Sequence, residues 1–267
     1  MTIEARHLHF HYDSETVIND LSLSIIPGEI TALVGPNGSG KSTLLKALAR
    51  ILRPQSGEVL LEGKPIGSWS ARAVARKLAL LPQSPEAPMG LSVRDLAGYG
   101  RHPWRRAFQG SGPQDRAAVD RALALTGMTS FADRMLGSLS GGQRQRAWIA
   151  MALSQDTDVL MLDEPTSFLD MAHQVELMQL VERLNAEEGR TIVIVLHDLN
   201  QAARIAHRMV VLDQGSIAAD GNPAQVMTAQ MLRQVFGVES DVISDPRRGT
   251  PLCLPYSAYS SGPDLEP

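Results

Sequence analysis

One cysteine, Cys253, is all that 267 residues contain, so neither an internal disulfide nor a cysteine-based zinc site can form. That count implies a free structural thiol and fits a reducing cytosol. Long apolar runs are missing as well: stretches such as Ile192 to Leu196 fall far short of the ~18 residues needed to cross a bilayer. The opening Met1-Thr2-Ile3-Glu4-Ala5-Arg6 lacks the basic then apolar order of an export signal, so neither spanning nor export is expected. Positive charge is not in excess, and a net charge of −4 leaves no footprint for nucleic acid. Internal repeats, heptad runs and low-complexity tracts are also absent. What remains, 43% hydrophobic and 20% charged, suits a chain that folds around one large core or two modest ones.

Against that ordinary background one stretch stands out. Gly35-Pro36-Asn37-Gly38-Ser39-Gly40-Lys41-Ser42-Thr43 fits the pattern G-x-x-x-x-G-K-[ST]. Glycines there let main-chain N–H groups wrap a di- or triphosphate, Lys41 reaches the outer phosphates, and the Ser42 hydroxyl ligates Mg²⁺. The apolar run Ile30 to Val34 comes directly before, and Ser42 to Ala49 follows at helical spacing. This strand, loop, helix order turns the positive end of a helix toward the anion. A purine nucleotide site is therefore expected.

Other apolar runs end in groups that suit such a site. Leu78 to Leu81 stops at Pro82-Gln83, where an amide could ligate Mg²⁺ or hold a water. Val159 to Leu162 stops at Asp163-Glu164-Pro165. Asp163 is placed to hold the water shell of Mg²⁺, and Glu164 to polarise an attacking water. Thr191 to Leu196 stops at His197. Open parallel sheets bind ligands beyond their carboxyl ends, so neighbouring parallel strands would bring Gly35, Gln83, Asp163-Glu164 and His197 into one crevice.

The rest of the chain is organised around these strands. Val17 to Ile26 alternates apolar and polar residues, and with the first strand it suggests a small antiparallel layer. In that first strand His7, His9 and His11 alternate with Leu8 and Phe10, which predicts three imidazoles on one face, a solvated face rather than a metal site. Tyr12 follows, with a ring able to stack on a base or to pack in the core. Helical spacing dominates from Leu91 to Thr157, interrupted by the basic and aromatic Gly100 to Arg106, read either as a solvated loop or as a docking patch. Within this region Leu139-Ser140-Gly141-Gly142-Gln143 opens a helix with a hydroxyl and free N–H groups, read either as a second anion-binding end or as a plain N-cap with permissive glycines. Met209 to Asp220 reads as a hairpin and Pro223 to Phe236 as two short helices, with weak strand character around Val242 and Cys253.

These motifs, in this order, resemble the ATP-binding cassette of membrane transporters over residues 1 to about 255. Tyr12 resembles the aromatic loop, Gly35 to Thr43 Walker A, Gln83 the Q-loop and Leu139 to Gln143 the signature. Val159 to Glu164 resembles Walker B with its catalytic glutamate, Ser167-Phe168-Leu169-Asp170 the D-loop, and His197 the switch histidine. Phe168 departs from the alanine or shorter pattern that is commoner there. The resemblance implies an α/β P-loop NTPase (RecA-like) core of about residues 1–86 and 158–222 with an N-terminal antiparallel β layer. An inserted α-helical subdomain at about 87–157, an appendage at 223–255 and a flexible tail at 256–267 complete it.

It further implies ATP and Mg²⁺ as cofactors, with Lys41, Gln83, Glu164 and His197 in catalytic roles and Ser42, Gln83 and Asp163 around the metal. Two copies would join head to tail, Ser140, Gly141, Gly142, Gln143 and Asp170 of one capping ATP held by the other. Tyr99 to Trp104, His197 to Ala203 and Pro251 to Cys253 are similar to ATPases of bacterial iron-siderophore importers, with haem and cobalamin importers near. A permease, a substrate-binding protein and the cytoplasmic face of the inner membrane are the implied partners and place. A P-loop phosphotransferase would need no Ser-Gly-Gly-Gln turn, and a cassette acting on DNA or ribosomes would carry a coiled-coil insertion or a second cassette.

Overall fold

The computed structural model describes residues 1–12, 15–86, 88, 90–105, 110–167 and 169–259. The chain opens with β1 (Ile3–Tyr12), β2 (Glu15–Ile25), β3 (Ile30–Val34) and, past the glycine-rich loop, α1 (Lys41–Leu48). Next come β4 (Ser56–Leu61), β5 (Lys64–Pro65), α2 (Ala71–Ala75) and β6 (Leu78–Leu81). A helical block follows, α3 (Val93–Tyr99), α4 (Pro113–Leu125) and α5 (Gly141–Ser154). Beyond it lie β7 (Val159–Asp163), α6 (Met171–Glu188), β8 (Thr191–Val195), α7 (Leu199–Ile205) and the hairpin β9 (Arg208–Asp213) and β10 (Ser216–Gly221). The short helices α8 (Pro223–Val226) and α9 (Ala229–Met231) lead to β11 (Val238–Ser244) and β12 (Pro251–Ala258).

β3, β7 and β8 are buried at every residue, which is why they read as unbroken apolar runs. They sit inside a six-stranded sheet ordered β10-β9-β3-β8-β7-β6, parallel except for β10. Alternate residues serve two different cores. Ile30, Ala32, Leu160, Leu162, Ile192 and Ile194 pack with the helical block and α6. Leu33, Val159, Met161, Val193 and Val195 face α1 and the four-stranded layer β2-β1-β4-β5. Truncating one such leucine to alanine costs about 2–5 kcal/mol, because a sheet clamped on both faces relaxes little around the cavity. Since β3, β8, β7 and β6 are parallel neighbours, their carboxyl ends share one edge of the sheet.

Several expectations change in three dimensions. The histidines of β1 do stand opposite buried Leu8 and Phe10, but bulges interrupt the register and His7 takes a positive φ of 47°. Their partners differ: His7 Nδ1 lies 2.7 Å from Asp20 Oδ1, and His11 Nδ1 2.9 Å from the Thr16 hydroxyl. No group of three His, Cys, Asp or Glu fit for a metal occurs among the described residues. The tail expected to be loose from Tyr256 stays in β12 through Ala258, paired with β11 as far as Val238; residues 260–267 lie outside the described residues. The third change is in the middle of Pro223–Phe236, where α9 passes into a π-type turn over Leu232–Phe236 that Gly237 ends at φ 65°.

Within Gly100 to Trp104, Arg101 is buried while His102 and Trp104 stay exposed, and Arg106 lies outside the described residues. The Pro103 carbonyl accepts at 2.8 Å from Nε of both Arg72, in α2, and Arg76, which caps its end. Trp104 donates from Nε1 to the Gln155 carbonyl at 2.6 Å, and the guanidinium groups of Arg76 and Arg101 lie over its ring at 5.1 and 5.3 Å from the centroid. Arg101 is buried, bonding Asp115 Oδ1 at 3.0 Å and the Ser154 carbonyl at 2.7 Å. Burial works against the Asp115 carboxylate, yet the bonds from Arg101 and the Gly112 N–H outweigh it and hold its pKa below the usual range. Gln155 then bonds the carbonyls of Ala75 and Leu78 through Nε2. A cationic side chain at the end of α5 also suits the helix dipole, so this joint fixes the far end of the helix that Ser140 begins.

Candidate functional site

The phosphate loop runs from the end of β3 to the start of α1. Gly35 and Gly40 adopt φ of 147° and 97°, and a Cβ would lie 2.1 Å from the Leu212 carbonyl at the first and 2.8 Å from the Val17 carbonyl at the second. Only glycine fits either position. Gly40 caps α1 without a side-chain bond, which leaves the first N–H groups of the helix for an anion. Lys41 is 5% exposed, and its Nζ donates to the carbonyls of Gly35 at 2.9 Å and Pro36 at 2.7 Å, with Ser39 Oγ at 3.4 Å. Burial lowers its pKa, while the carboxylates of Glu164 and Asp163 act in the opposite direction.

β7 delivers the two acids. Asp163, 1% exposed, accepts from the Ser42 hydroxyl at 2.7 Å through Oδ1, whereas its buried Oδ2 has no partner. Burial raises its pKa, opposed by the Ser42 bond and the positive charges of Lys46 and Lys41. A buried carboxylate oxygen left without a donor is costly unless something binds there. Paired with the Ser42 hydroxyl it forms an oxygen donor set of the kind Mg²⁺ prefers. One residue on, Glu164 leaves the strand with a positive φ of 49°, a conformation that costs a non-glycine residue roughly 1 kcal/mol or more and that sites tend to keep.

That turn sends the Glu164 carboxylate among residues from two other strand ends. Gln83 Nε2, beyond β6, donates to Oε2 at 2.5 Å, and His197 Nε2, beyond β8, lies 2.7 Å from Oε1. Gly35, Gln83, Asp163-Glu164 and His197 therefore meet along one sheet edge, linked by these bonds and by the Ser42 to Asp163 contact. Ser167, whose part in the chemistry could not be read from its motif, adds a third bond to Glu164, from Oγ to Oε2 at 3.4 Å. Its only signal in the sequence was the distance of three residues.

Other expected residues lie apart from this group. Tyr12 ends β1 half-exposed, and Asn37, Gly38 and Thr43 complete the loop without side-chain bonds among the described residues. Ser140 caps α5: its Oγ accepts from the Gln143 N–H at 3.3 Å, and Gln143 Oε1 accepts from the Ser140 N–H at 3.1 Å. Gly141 is exposed, and Gly142 lies so near His173 that a Cβ would come 3.3 Å from the ring. His173 is held by Asp170, which caps α6 and takes the His173 N–H at 3.0 Å and its Nδ1 at 2.7 Å. That main-chain bond is the first cause of a lowered Asp170 pKa. The turn at Ser140 and the start of α6 thus touch within one chain, which no spacing in the sequence announced. Among the described residues no hydrogen bond or ion pair links Ser140 to Gln143 with the loop at Lys41.

The profile of the family described as ABC transporter matches residues 18–167, more than half of the chain. The chain belongs to the ABC transporter family. As a member it is an ABC-type ATPase, and the P-loop core with its helical block is the fold of that family. The iron(3+)-hydroxamate import ATP-binding protein of Bacillus subtilis (strain 168) is 47% identical to this ABC protein, covering 99% of this chain and 98% of the relative. The ferric enterobactin transport ATP-binding protein of Escherichia coli (strain K12) is 43% identical over 95% of this chain and 93% of its own length. Among solved structures, an inward-facing protein described as a metal-chelate type ABC transporter superposes with a TM-score of 0.82 at 28% identity, covering 96% of this chain and 97% of that one.

Proposed function

We propose that this ABC ATPase works as one of two head-to-tail copies on the cytoplasmic face of a bacterial inner membrane, driving uptake of a ferric siderophore through integral membrane permease subunits. A substrate-binding protein would deliver the cargo. The observation that carries the hydrolytic part is the Glu164 carboxylate, with Gln83 on one oxygen and His197 on the other beside the loop of Lys41. The cargo rests on likeness along nearly the whole chain to relatives named for ferric hydroxamate and ferric enterobactin.

Chemistry follows from these placements. Lys41 would exchange the Gly35 and Pro36 carbonyls for phosphate oxygens, since the full negative charge of a phosphate attracts the ammonium more strongly than a carbonyl dipole does. Triphosphate charge there favours the charged lysine that burial opposes. Asp163 and Ser42 would hold Mg²⁺ together with Gln83, and the bound ion would neutralise charge on the phosphates. Glu164 acts on the attacking water as general base, and the His197 bond at 2.7 Å fixes which oxygen faces it. An ionised carboxylate offers about four acceptor sites, so Glu164 can keep its contacts with Gln83 and His197 and still take a proton. Ser140 Oγ accepts from Gln143 and so keeps its own proton to donate, which suits it to cap a phosphate held by the second copy with the N–H groups of Gly141, Gly142 and Gln143. Asp170, held beside that turn through His173, would join it.

A deletion strain complemented in turn by the wild type and by Glu164→Gln tests this. Uptake of a ferric hydroxamate or catecholate should return with the wild type and stay below about a hundredth of that level with the variant. Equal uptake in the deletion strain and its parent for iron chelates, haem and cobalamin alike would overturn the importer reading.

A further inference from the structure

Two runs of the sequence, His197 to Ala203 and Pro251 to Cys253, give only His197 to the site described so far, yet they meet. Asn200 on α7 donates from Nδ2 to the Cys253 carbonyl at 3.0 Å, and the Cys253 N–H donates back to Asn200 Oδ1 at 2.7 Å. One side-chain amide thus takes both main-chain groups of a buried residue near the start of β12, standing where a third strand of that two-stranded sheet would stand. α7 itself is only seven residues long. A helix that short has little stability of its own and takes its position from what holds it. Its start is held by Asp198, whose Oδ1 accepts from the N–H groups of Asn200 and Gln201, and Asp198 directly follows His197.

The hairpin of β11 and β12 grips α6 as well. Arg248, between the two strands, pairs with Glu182 on α6 and donates to the Arg204 carbonyl near the end of α7. Between the two helices Gln201 Nε2 bonds Gln174 Oε1 at 2.8 Å, and Gln174 Nε2 bonds the Leu169 carbonyl at 3.0 Å, one residue before Asp170. The C-terminal hairpin is therefore fastened to the two helices whose first residues follow His197 and Asp170.

We propose that Asn200 is a positioning residue for ATP hydrolysis: through its paired bonds to Cys253 it ties the start of α7 to the C-terminal hairpin, and so holds the His197 imidazole on Glu164. This rests on the reading of Glu164 and His197 given above. Loss of the tie leaves the phosphate loop untouched, so nucleotide binding persists while the orientation of the base does not. Misplacement of about 1 Å in such a group costs up to ~100-fold in rate.

The test is steady-state ATP hydrolysis by the purified full chain as wild type, Asn200→Leu, Asn200→Asp and Glu164→Gln. Asn200→Leu, close in size but without either bond, should lower kcat about tenfold with KM for ATP within about twofold. Asn200→Asp keeps the acceptor for the Cys253 N–H and should recover at least about a third of that loss; if the leucine variant fails to fold, this variant alone still has to show lowered kcat at unchanged KM. Wild-type kcat in both Asn200 variants, or a rise in KM that accounts for the whole loss, overturns the proposal. Sustained hydrolysis by Glu164→Gln would instead remove the reading beneath it, so the two failures are told apart.

Discussion

The strand-end crevice and the turn at Ser140 are both built to meet phosphate, and they are finished to different degrees. In the crevice Lys41 and Asp163 are almost wholly buried, and Glu164 is held from three sides by residues of its own chain. At the turn, the side chains of Ser140 and Gln143 are bonded to each other's main-chain N–H, Ser140 exposed and Gln143 half-buried, with a glycine against His173 behind them. One region can hold and cleave; the other offers donors outward. That contrast argues for an interface in which the second region of one copy completes the first region of another.

Three perturbations test the contrast, in decreasing size of effect. Lys41→Ala strikes the finished region and should lower ATP turnover at least about 100-fold, since a charge aimed at the phosphates is lost; phosphate release by the purified variant near the wild-type rate would refute the loop's role. Ser140→Ala strikes the half-site. It should lower turnover about tenfold and cost about 1 kcal/mol of stability for the lost cap, yet leave nucleotide affinity of a single copy at high dilution unchanged. A drop in that dilute affinity, read by equilibrium titration, would show that the turn serves its own chain and would erase the distinction.

The smallest effect concerns the buried carboxylate. Because the folded-state pKa of Asp163 is raised above its unfolded value, ionising it opposes folding, and stability of the nucleotide-free protein rises as pH falls through that raised value toward the ordinary carboxylate range. Asp163→Asn should therefore stabilise the nucleotide-free protein by about 1 kcal/mol near pH 8 and flatten this dependence, while Mg²⁺-dependent hydrolysis fails. Chemical denaturation at two pH values checks the sign. A less stable variant near pH 8 would mean that the carboxylate is better satisfied than its unpartnered oxygen indicates.

The sequence made the crevice legible because its grammar is local. An apolar run marks a strand, the polar residue that ends it marks the sheet edge, and Gly35, Gln83, Asp163 and His197 needed only that the strands be parallel neighbours. Walker A was plain for the same reason: strand, glycines and helix are contiguous. Contacts that depend on how helices cross were not legible. His173 against Gly142, and Asn200 on Cys253, are set by the placing of α5, α6 and α7 on the sheet, which no periodicity records. The joint at Pro103 was hidden for a related reason, since the bonds of Arg72, Arg76 and Trp104 to main-chain carbonyls depend on how this loop lies against α2 and the end of α5. The bulges in β1 were hidden because the alternation of Leu8 and Phe10 with His9 and His11 begins only past Arg6 and His7, where the burial pattern breaks.

β6 ends the sheet, and an unpaired margin of that kind invites a stranger's backbone to pair with it. Here the margin is four residues long, α5 packs beside it, and the Gln155 amide already occupies the Leu78 carbonyl. This margin therefore offers a crowded neighbour little to pair with, which guards one side of the sheet against fibrous stacking.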